Sequence, residues 1–195
     1  MRADVTVITT AIPERLDTYL PRAMASVAAQ TLPPMQHLVA VDYDGWGPAV
    51  LRNALVAASE TEWLAFLDDD DLFLPDHLET LLAHEDEADV IHSAFAVRGR
   101  PYWSWEDLHA QGCSTLEPHN TIPTTALVRK SFFDDVRGFR SNRPEDHNLW
   151  RMLRAAGARF VCVHERTWVY RFHGANASIA RERDGRTVWG MNHGA

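Results

Sequence analysis

Short apolar runs alternate with amphipathic stretches through the first half of the chain, and this rhythm limits the fold more than any other feature. Residues 5–10 (VTVITT) are almost all β-branched, which is typical of a strand covered on both faces. Residues 37–42 (HLVAVD) and 63–67 (WLAFL) predict two further strands. The intervals between them carry apolar residues at helical spacing: Leu20, Met24 and Val27, then Leu51, Leu55 and Ala58, then Leu78, Leu81 and Leu82. This order predicts an α/β domain with a mainly parallel central sheet and helices on both faces.

The second half of the chain is less regular than the first. We expect a loop or lid over residues 98–120, where Tyr102, Trp103 and Trp105 cluster. The remaining expected elements are a helix opened by Pro75, a strand beginning at Val90, a helix over 145–156 that stops at Gly157, and strands over 159–164 and 167–173. From Ala180 the chain is polar and rich in arginine, so we expect a frayed tail.

Composition excludes several classes of protein. A length of 195 residues suits one domain, and a net charge of −8 argues against nucleic-acid binding by the whole surface. No window approaches the roughly 18 consecutive apolar residues of a membrane span, and the N-terminus lacks the features of a signal peptide. Cys113 and Cys162 form no CxxC pair, which favours a reducing compartment. We therefore expect a cytoplasmic protein.

The strongest local signal is the run of four aspartates, Asp68 to Asp71, directly after the third strand. Ligands of parallel sheets bind beyond the carboxyl ends of the strands, and Asp42 ends the second strand in the same way. In an extended chain Asp68 and Asp70 would share a face, with Asp69 pointing away. Neighbouring carboxylates repel unless a cation lies between them, and oxygen ligands favour Mg²⁺ or Mn²⁺. An acidic turn that caps the next helix is the alternative.

Several motif blocks occur in a fixed order along the chain. They include residues 5–34, HLVAVD, residues 47–82 with LAFLDDDD, residues 120–139 (NTIPTTALVRKSFFDDVRGF), PEDHNLW and YRFHGANAS. This ordered set resembles the family 2 nucleotide-sugar glycosyltransferases of GT-A fold. The resemblance spans roughly residues 4–178, and implies a single GT-A domain over 1–178 followed by a polar tail over 179–195.

The resemblance implies a donor site at the carboxyl ends of the first strands. The segment similar to the one that packs around the nucleotide base comprises Thr9, Thr10 and Ala11, with Glu14 or Arg15 nearby. Asp42 resembles the acid that hydrogen-bonds the uracil or ribose, although an aspartate that initiates a turn before Gly45 is the alternative. Arg52 resembles a residue that contacts the nucleotide or its phosphates, and a surface arginine on a helix is its alternative.

The resemblance also assigns a metal site and a general base. Asp70 matches the direct metal ligand, Asp68 lies nearer the ribose and can share the ion, and Asp69 belongs to the donor site. His173 matches a C-terminal histidine that completes the metal shell or touches the diphosphate, while Asp71 fits a helix-leading or supporting role. In the pair Glu145-Asp146, Asp146 resembles the base; two first-turn acids that favour the helix dipole are the alternative. Gly138-Phe139 resembles the turn ahead of this pair.

The implied function is metal-dependent, inverting transfer of a sugar from a nucleoside-diphosphate donor, UDP by default, to an acceptor hydroxyl. Mn²⁺ or Mg²⁺ is the implied cofactor. The acceptor stays open among glycans, lipids, proteins and modified nucleic acids, and so does a homodimer. A catalytically silent binding domain and a phosphohydrolase with Asp68 as nucleophile are alternatives. A Rossmann dinucleotide site is disfavoured because Val50 stands at the third glycine position of GxGxxG.

Overall fold

A computed structural model describes residues 2–99, 122–141 and 145–173, and the backbone of 179–181 and 187–189. Its strands are β1 (Ala3–Ala11), β2 (Pro34–Val41), β3 (Trp63–Asp68), β4 (Leu72–Phe73), β5 (Val90–Arg98), β6 (Leu127–Arg129), β7 (Phe160–Arg171), β8 (Ile179–Arg181) and β9 (Thr187–Trp189). Its helices are α1 (Leu20–Ala28), α2 (Pro48–Ala57), α3 (His77–Leu82), α4 (Lys130–Asp135) and α5 (Glu145–Ala155), with a 3₁₀ turn at Pro13–Arg15. Strands and helices alternate as the sequence predicts.

Seven strands form one sheet in the order β2-β1-β3-β6-β5-β7-β4. Three neighbouring pairs are parallel and three are antiparallel, so the sheet is mixed, whereas we predicted a mainly parallel one. The difference arises because the short β6 runs antiparallel between β3 and β5, and β4 is an antiparallel edge strand. The strands that end at the acidic run remain parallel: Thr10 of β1 lies beside Asp68 of β3.

Helices cover both faces of the sheet, as predicted, and β3 shows this by alternation. Its side chains at 63, 65 and 67 join α1 and α3 in one buried cluster, whereas those at 64 and 66 join α2, α4 and α5 in another. The large buried side chains are Trp63, Phe66, Leu78, Leu149 and Trp150. Both clusters hold the central strands rigidly, and so fix where the carboxyl ends of those strands lie.

Two expectations about the boundaries of elements are wrong. The third helix begins at His77 instead of Pro75, because the chain after Asp71 first forms the edge strand β4. The strands predicted over 159–164 and 167–173 are one strand, β7, whose register against β5 shifts between Val163 and Trp168. The exposed, polar residues 164–166 therefore form a bulge within one strand, and the chain does not turn back between two strands. Beyond β7, the described residues of the tail form an antiparallel pair, β8 and β9.

Among the described residues, no helix is both long enough and apolar enough to cross a bilayer. Cys162 in β7 is disulfide-bonded. Cys113 lies outside the described residues.

Candidate active site

The acidic run forms a turn at the carboxyl end of β3. Asp68 is the last residue of the strand, and the N–H of Asp71 donates to the Asp68 carbonyl oxygen at 3.1 Å. Asp68 and Asp70 do come together as predicted, but through this turn and not through an extended chain. Asp71 joins them: one carboxylate oxygen from each of the three lies within 4.8 Å of the others. Three converging oxygen donors of this type suit a hard divalent cation.

Arg15 donates to two carboxylates of the turn. Arg15 Nη1 donates to Asp69 Oδ1 at 2.7 Å and to Asp70 Oδ2 at 2.8 Å, and the Ile12 N–H donates to Asp69 Oδ2 at 3.3 Å. Burial raises the pKa of Asp69, while its hydrogen bond from Arg15 works in the opposite direction. Since Asp69 faces Arg15 and lies outside the three-carboxylate cluster, it anchors the turn to the segment after β1.

The C-terminal strand also reaches the turn. The N–H of Arg171 donates to Asp71 Oδ1 at 2.9 Å, and His173 Nε2 lies 2.9 Å from Asp70 Oδ2. Burial raises the pKa of Asp71 well above its usual value, and the charges of Asp70 and Asp68 raise it further. The structure thus brings His173 and Asp70 together, as the resemblance implied. It also makes Asp71 a potential ligand, which the sequence reasoning placed in a supporting role.

Arg52 connects the acidic turn to helix α5. Its guanidinium donates to Asp68 Oδ1 at 2.5 Å and lies 3.9 Å from Glu145 Oε1, and it also lies over the Phe139 ring at 5.2 Å. The arginine side chain is buried, with 5% exposure, whereas that of Asp68 is 38% exposed. The alternative of a surface arginine is therefore wrong. Arg52 is committed to the two acidic segments of the site.

Glu145 and Asp146 form the first turn of α5, where both acids also favour the helix dipole. The N–H of His147 donates to Asp146 Oδ1 at 2.7 Å, which fixes the direction of that carboxylate. Burial raises the pKa of Asp146, and the charges of Glu145 and Asp68 add to this, while Arg52 opposes it. The carboxylate therefore holds a proton more readily than an exposed aspartate does, as suits a group that accepts one.

Two residues of the site escaped the sequence reasoning. Asn53 holds the turn ahead of α5: its Nδ2 donates to the Phe139 carbonyl oxygen and its Oδ1 accepts the Phe139 N–H, both at 2.9 Å. Gly138 has a φ of +68°, and a Cβ there would lie 2.4 Å from Asn53 Oδ1, so the turn requires glycine. Tyr19 stacks on His173 with 4.9 Å between ring centroids. Neither residue has a distinctive motif, although Asn53 directly follows Arg52.

The donor-side residues lie in β1 and in the turn that follows β2. Thr9, Thr10 and Ala11 are all buried, and the Thr9 hydroxyl is 3.0 Å from His37 Nε2, within the sheet. Asp42 accepts the N–H groups of Trp46 at 2.9 Å and Gly47 at 2.8 Å, so its carboxylate closes the turn before α2. This geometry supports the turn interpretation of Asp42.

Of the two residues expected near the donor site, Arg15 contacts the acidic turn, whereas Glu14 is exposed. The aromatic cluster at 102–105 and the lead-in Arg143-Pro144 lie outside the described residues.

Comparison with known proteins identifies the group to which this arrangement belongs. The model of the family "Glycosyl transferase family 2" matches residues 43–150, which include β3, the acidic turn and the start of α5. The chain belongs to glycosyl transferase family 2. A relative in this family is the pre-mycofactocin glycosyltransferase of Mycobacterium tuberculosis, which is 34% identical over 162 residues, covering 68% of this chain and 34% of the relative. The chain thus spans about a third of the length of that curated relative.

Solved structures similar to this family 2 chain establish its GT-A fold. Residues 1–349 of TarS from S. aureus superpose with a TM-score of 0.69 at 18% identity, covering 88% of this chain and 60% of TarS 1–349. The mannosyltransferase PcManGT from Pyrobaculum calidifontis, in complex with GDP-Man and Mn²⁺, gives a TM-score of 0.67 at 14% identity and covers 90% of this chain and 59% of its own. The Rossmann dinucleotide alternative is thereby set aside.

Proposed function

We propose that this chain carries the catalytic domain of a metal-dependent, inverting glycosyltransferase that moves a sugar from a nucleoside-diphosphate donor to an acceptor hydroxyl. The observation that carries the proposal is the convergence of Asp68, Asp70 and Asp71 beyond the parallel strands, joined through Arg52 to the acidic start of α5. The metal ligands act on the leaving diphosphate and the base acts on the attacking hydroxyl, on opposite sides of the anomeric carbon, and Arg52 ties the two acidic segments into one site.

The residues of the acidic turn suit a divalent cation. Three carboxylate oxygens within 4.8 Å of one another match the oxygen ligands that Mn²⁺ and Mg²⁺ take, and the imidazole of His173 adjoins Asp70. Asp68, Asp70 and Asp71 would hold the ion, with His173 as a further ligand. When bound, the ion supplies a Lewis acid that stabilises the negative charge of the departing nucleoside diphosphate.

Asp146 is the proposed general base. It accepts the proton of the acceptor hydroxyl while the hydroxyl oxygen forms its bond to the anomeric carbon and the bond to the diphosphate oxygen breaks. The carboxylate is buried enough to raise its pKa, and the His147 N–H holds its orientation. Because one displacement at the anomeric carbon requires attack opposite the leaving group, the product has inverted configuration.

The donor is proposed from the chemistry of similar proteins. TarS has been captured with UDP and with UDP-GlcNAc, and PcManGT with GDP-Man and Mn²⁺. A UDP-sugar is our first choice and a GDP-sugar the second.

The test is a screen of UDP- and GDP-sugars for hydrolysis in the presence and absence of Mn²⁺. We expect Asp70→Ala to abolish metal-dependent binding of the nucleoside diphosphate, and Asp146→Asn to bind the nucleotide while losing transfer. Asp4→Asn is the matched control, since Asp4 is exposed at the opposite end of β1. Wild-type nucleotide binding in Asp70→Ala, measured by calorimetry, would remove the metal role, and normal transfer by Asp146→Asn would remove the base.

The same screen, extended to sugar phosphates, separates the alternatives. A catalytically silent domain would bind nucleotide without turnover of any donor. A phosphohydrolase with Asp68 as nucleophile would release inorganic phosphate from sugar phosphates, but membership in family 2 gives it no support.

A further inference from the structure

One nitrogen of Arg15 contacts two neighbouring carboxylates of the acidic turn. Arg15 Nη1 lies 2.7 Å from Asp69 Oδ1 and 2.8 Å from Asp70 Oδ2, with the arginine side chain 17% exposed. The two carboxylates differ in kind, because Asp70 belongs to the three-carboxylate cluster and Asp69 does not. Arg15 thus joins a prospective metal ligand to a residue outside the metal cluster.

The oxygen of Asp70 that Arg15 contacts is already fully engaged. Asp70 Oδ2 also lies 2.9 Å from His173 Nε2, so two nitrogen donors share this oxygen. A carboxylate oxygen offers two lone pairs, and a histidine nitrogen that carries a proton has no lone pair for a metal. Coordination through Asp70 Oδ2 or His173 Nε2 therefore requires these hydrogen bonds to give way.

The contact of Arg15 with Asp69 need not be broken at the same time. Asp69 is buried and also accepts the N–H of Ile12 at 3.3 Å, so its position is fixed independently of the metal cluster. A guanidinium released from Asp70 would stay tethered at the site by Asp69. Once released from Asp70, the guanidinium suits the oxygens of a diphosphate, since the planar fork of arginine matches phosphate geometry.

We infer that Arg15 is an internal cation that occupies Asp70 in the metal-free protein, yields Asp70 to the divalent ion, and then pairs with the diphosphate of the donor. This inference rests on the proposed function. Metal and nucleotide then bind cooperatively. Without nucleotide, metal binding must break the contact between Arg15 and Asp70, which lowers the metal affinity. When the diphosphate is bound, Arg15 pairs with it instead, and this loss is offset.

The experiment measures Mn²⁺ binding by calorimetry with and without UDP, with GDP run in parallel. The proteins are the wild type, Arg15→Gln, Arg15→Lys, and the control Arg2→Gln, whose arginine is exposed before β1 at the far end of that strand. Without nucleotide, Arg15→Gln should bind Mn²⁺ about tenfold more tightly than the wild type, the factor that corresponds to one charge-assisted hydrogen bond released. With saturating Mn²⁺, the same variant should bind UDP about tenfold more weakly. Arg15→Lys, which keeps the charge but loses the planar fork, should fall between Arg15→Gln and the wild type in both measurements, and Arg2→Gln should match the wild type.

Each other outcome is decisive. If folded Arg15→Gln, verified by circular dichroism, binds Mn²⁺ alone no more tightly than the wild type while Asp70→Ala loses Mn²⁺, the inference fails and the proposed metal site stands. If the wild type binds no Mn²⁺ even with UDP or GDP present, the proposed metal dependence fails and the inference fails with it.

Discussion

Replacing Arg52 by methionine tests whether this residue holds the two acidic segments together. The substitution keeps much of the apolar stem but removes the guanidinium that contacts Asp68 at 2.5 Å and Glu145 at 3.9 Å. Breaking a buried ion pair costs about 3–5 kcal/mol, and an exposed pair about 0–1 kcal/mol. Arg52 is buried, but Asp68 is 38% exposed and can be solvated, so we expect a loss of about 2–3 kcal/mol in the free energy of unfolding.

The same substitution should alter the pH dependence of transfer. Burial is the main cause of the raised pKa of Asp146, and Arg52 opposes it. Without Arg52 that pKa rises further. Asp146 must be deprotonated to accept a proton, so the acid limb of the rate profile should move to higher pH in Arg52→Met.

Two measurements check these expectations. Urea unfolding followed by tryptophan fluorescence gives the change in stability, and a pH series with saturating donor and Mn²⁺ gives the acid limb. Arg22→Met is the control, because Arg22 is exposed on α1. If Arg52→Met unfolds within about 0.5 kcal/mol of the wild type, as an ordinary surface substitution does, the role of Arg52 as a connector is refuted. An unshifted acid limb would refute its action on Asp146.

Three further predictions follow from buried groups and from backbone geometry. Asp71→Asn keeps an acceptor in the acidic turn but removes a charge from the cluster, so Mn²⁺ binding in the presence of UDP should weaken by about tenfold or more; equal affinity by calorimetry would exclude Asp71 as a ligand. Burial lowers the pKa of His77 from 6.5 to about 3, so the unfolded chain takes up a proton at this residue more readily than the folded protein does. The free energy of unfolding is therefore unaffected by His77 above pH 6.5 and decreases as the pH falls from 6.5 toward 3. Between pH 7.5 and pH 5 the wild type should lose about 2 kcal/mol more stability in urea unfolding than His77→Phe, and an equal loss would show that this histidine is not buried uncharged. Gly138→Ala should destabilise by about 2–4 kcal/mol because its Cβ would clash with Asn53 at a positive φ, whereas Gly157→Ala, also at positive φ but with open space, should cost only about 1 kcal/mol in thermal unfolding; similar losses would show that the clash relaxes.

The first half of the fold could be predicted because its patterns are local. β-branched runs, helical spacing and the proline at position 48 each act within a few residues, and the structure has α2 beginning at Pro48. The antiparallel insertion of β6 between β3 and β5 could not be predicted, because pairing partners depend on contacts between distant segments. The sequence predicts two strands where β7 is continuous, for a related reason. Exposed residues at a bulge look like a loop in the sequence.

The site was predictable in its acids but not in their partners. Asp68 and Asp70 stand out because four consecutive carboxylates at the end of a strand are costly without a compensating cation. Arg15, Arg52 and Asn53 gave weaker signals, since an arginine or asparagine near a helix is ordinary until its contacts are known. The helix-leading or supporting role predicted for Asp71 depends on a helix that directly follows the turn. The edge strand β4 follows instead, and Asp71 meets the Arg171 N–H beside it.

The order in which the site is completed follows from the sequence separation of its parts. Asp71 and Asp70 take hydrogen bonds from residues 100 and 103 positions later in the chain, and β4 pairs with the last part of β7. Contacts across such long loops are slow to form, since the loop must close before they stabilise anything. During synthesis the acidic turn therefore emerges long before the strand that supplies these donors. A nascent chain that ends before β7 carries crowded carboxylates without them, so nucleotide binding should appear late in folding, together with the docking of β7.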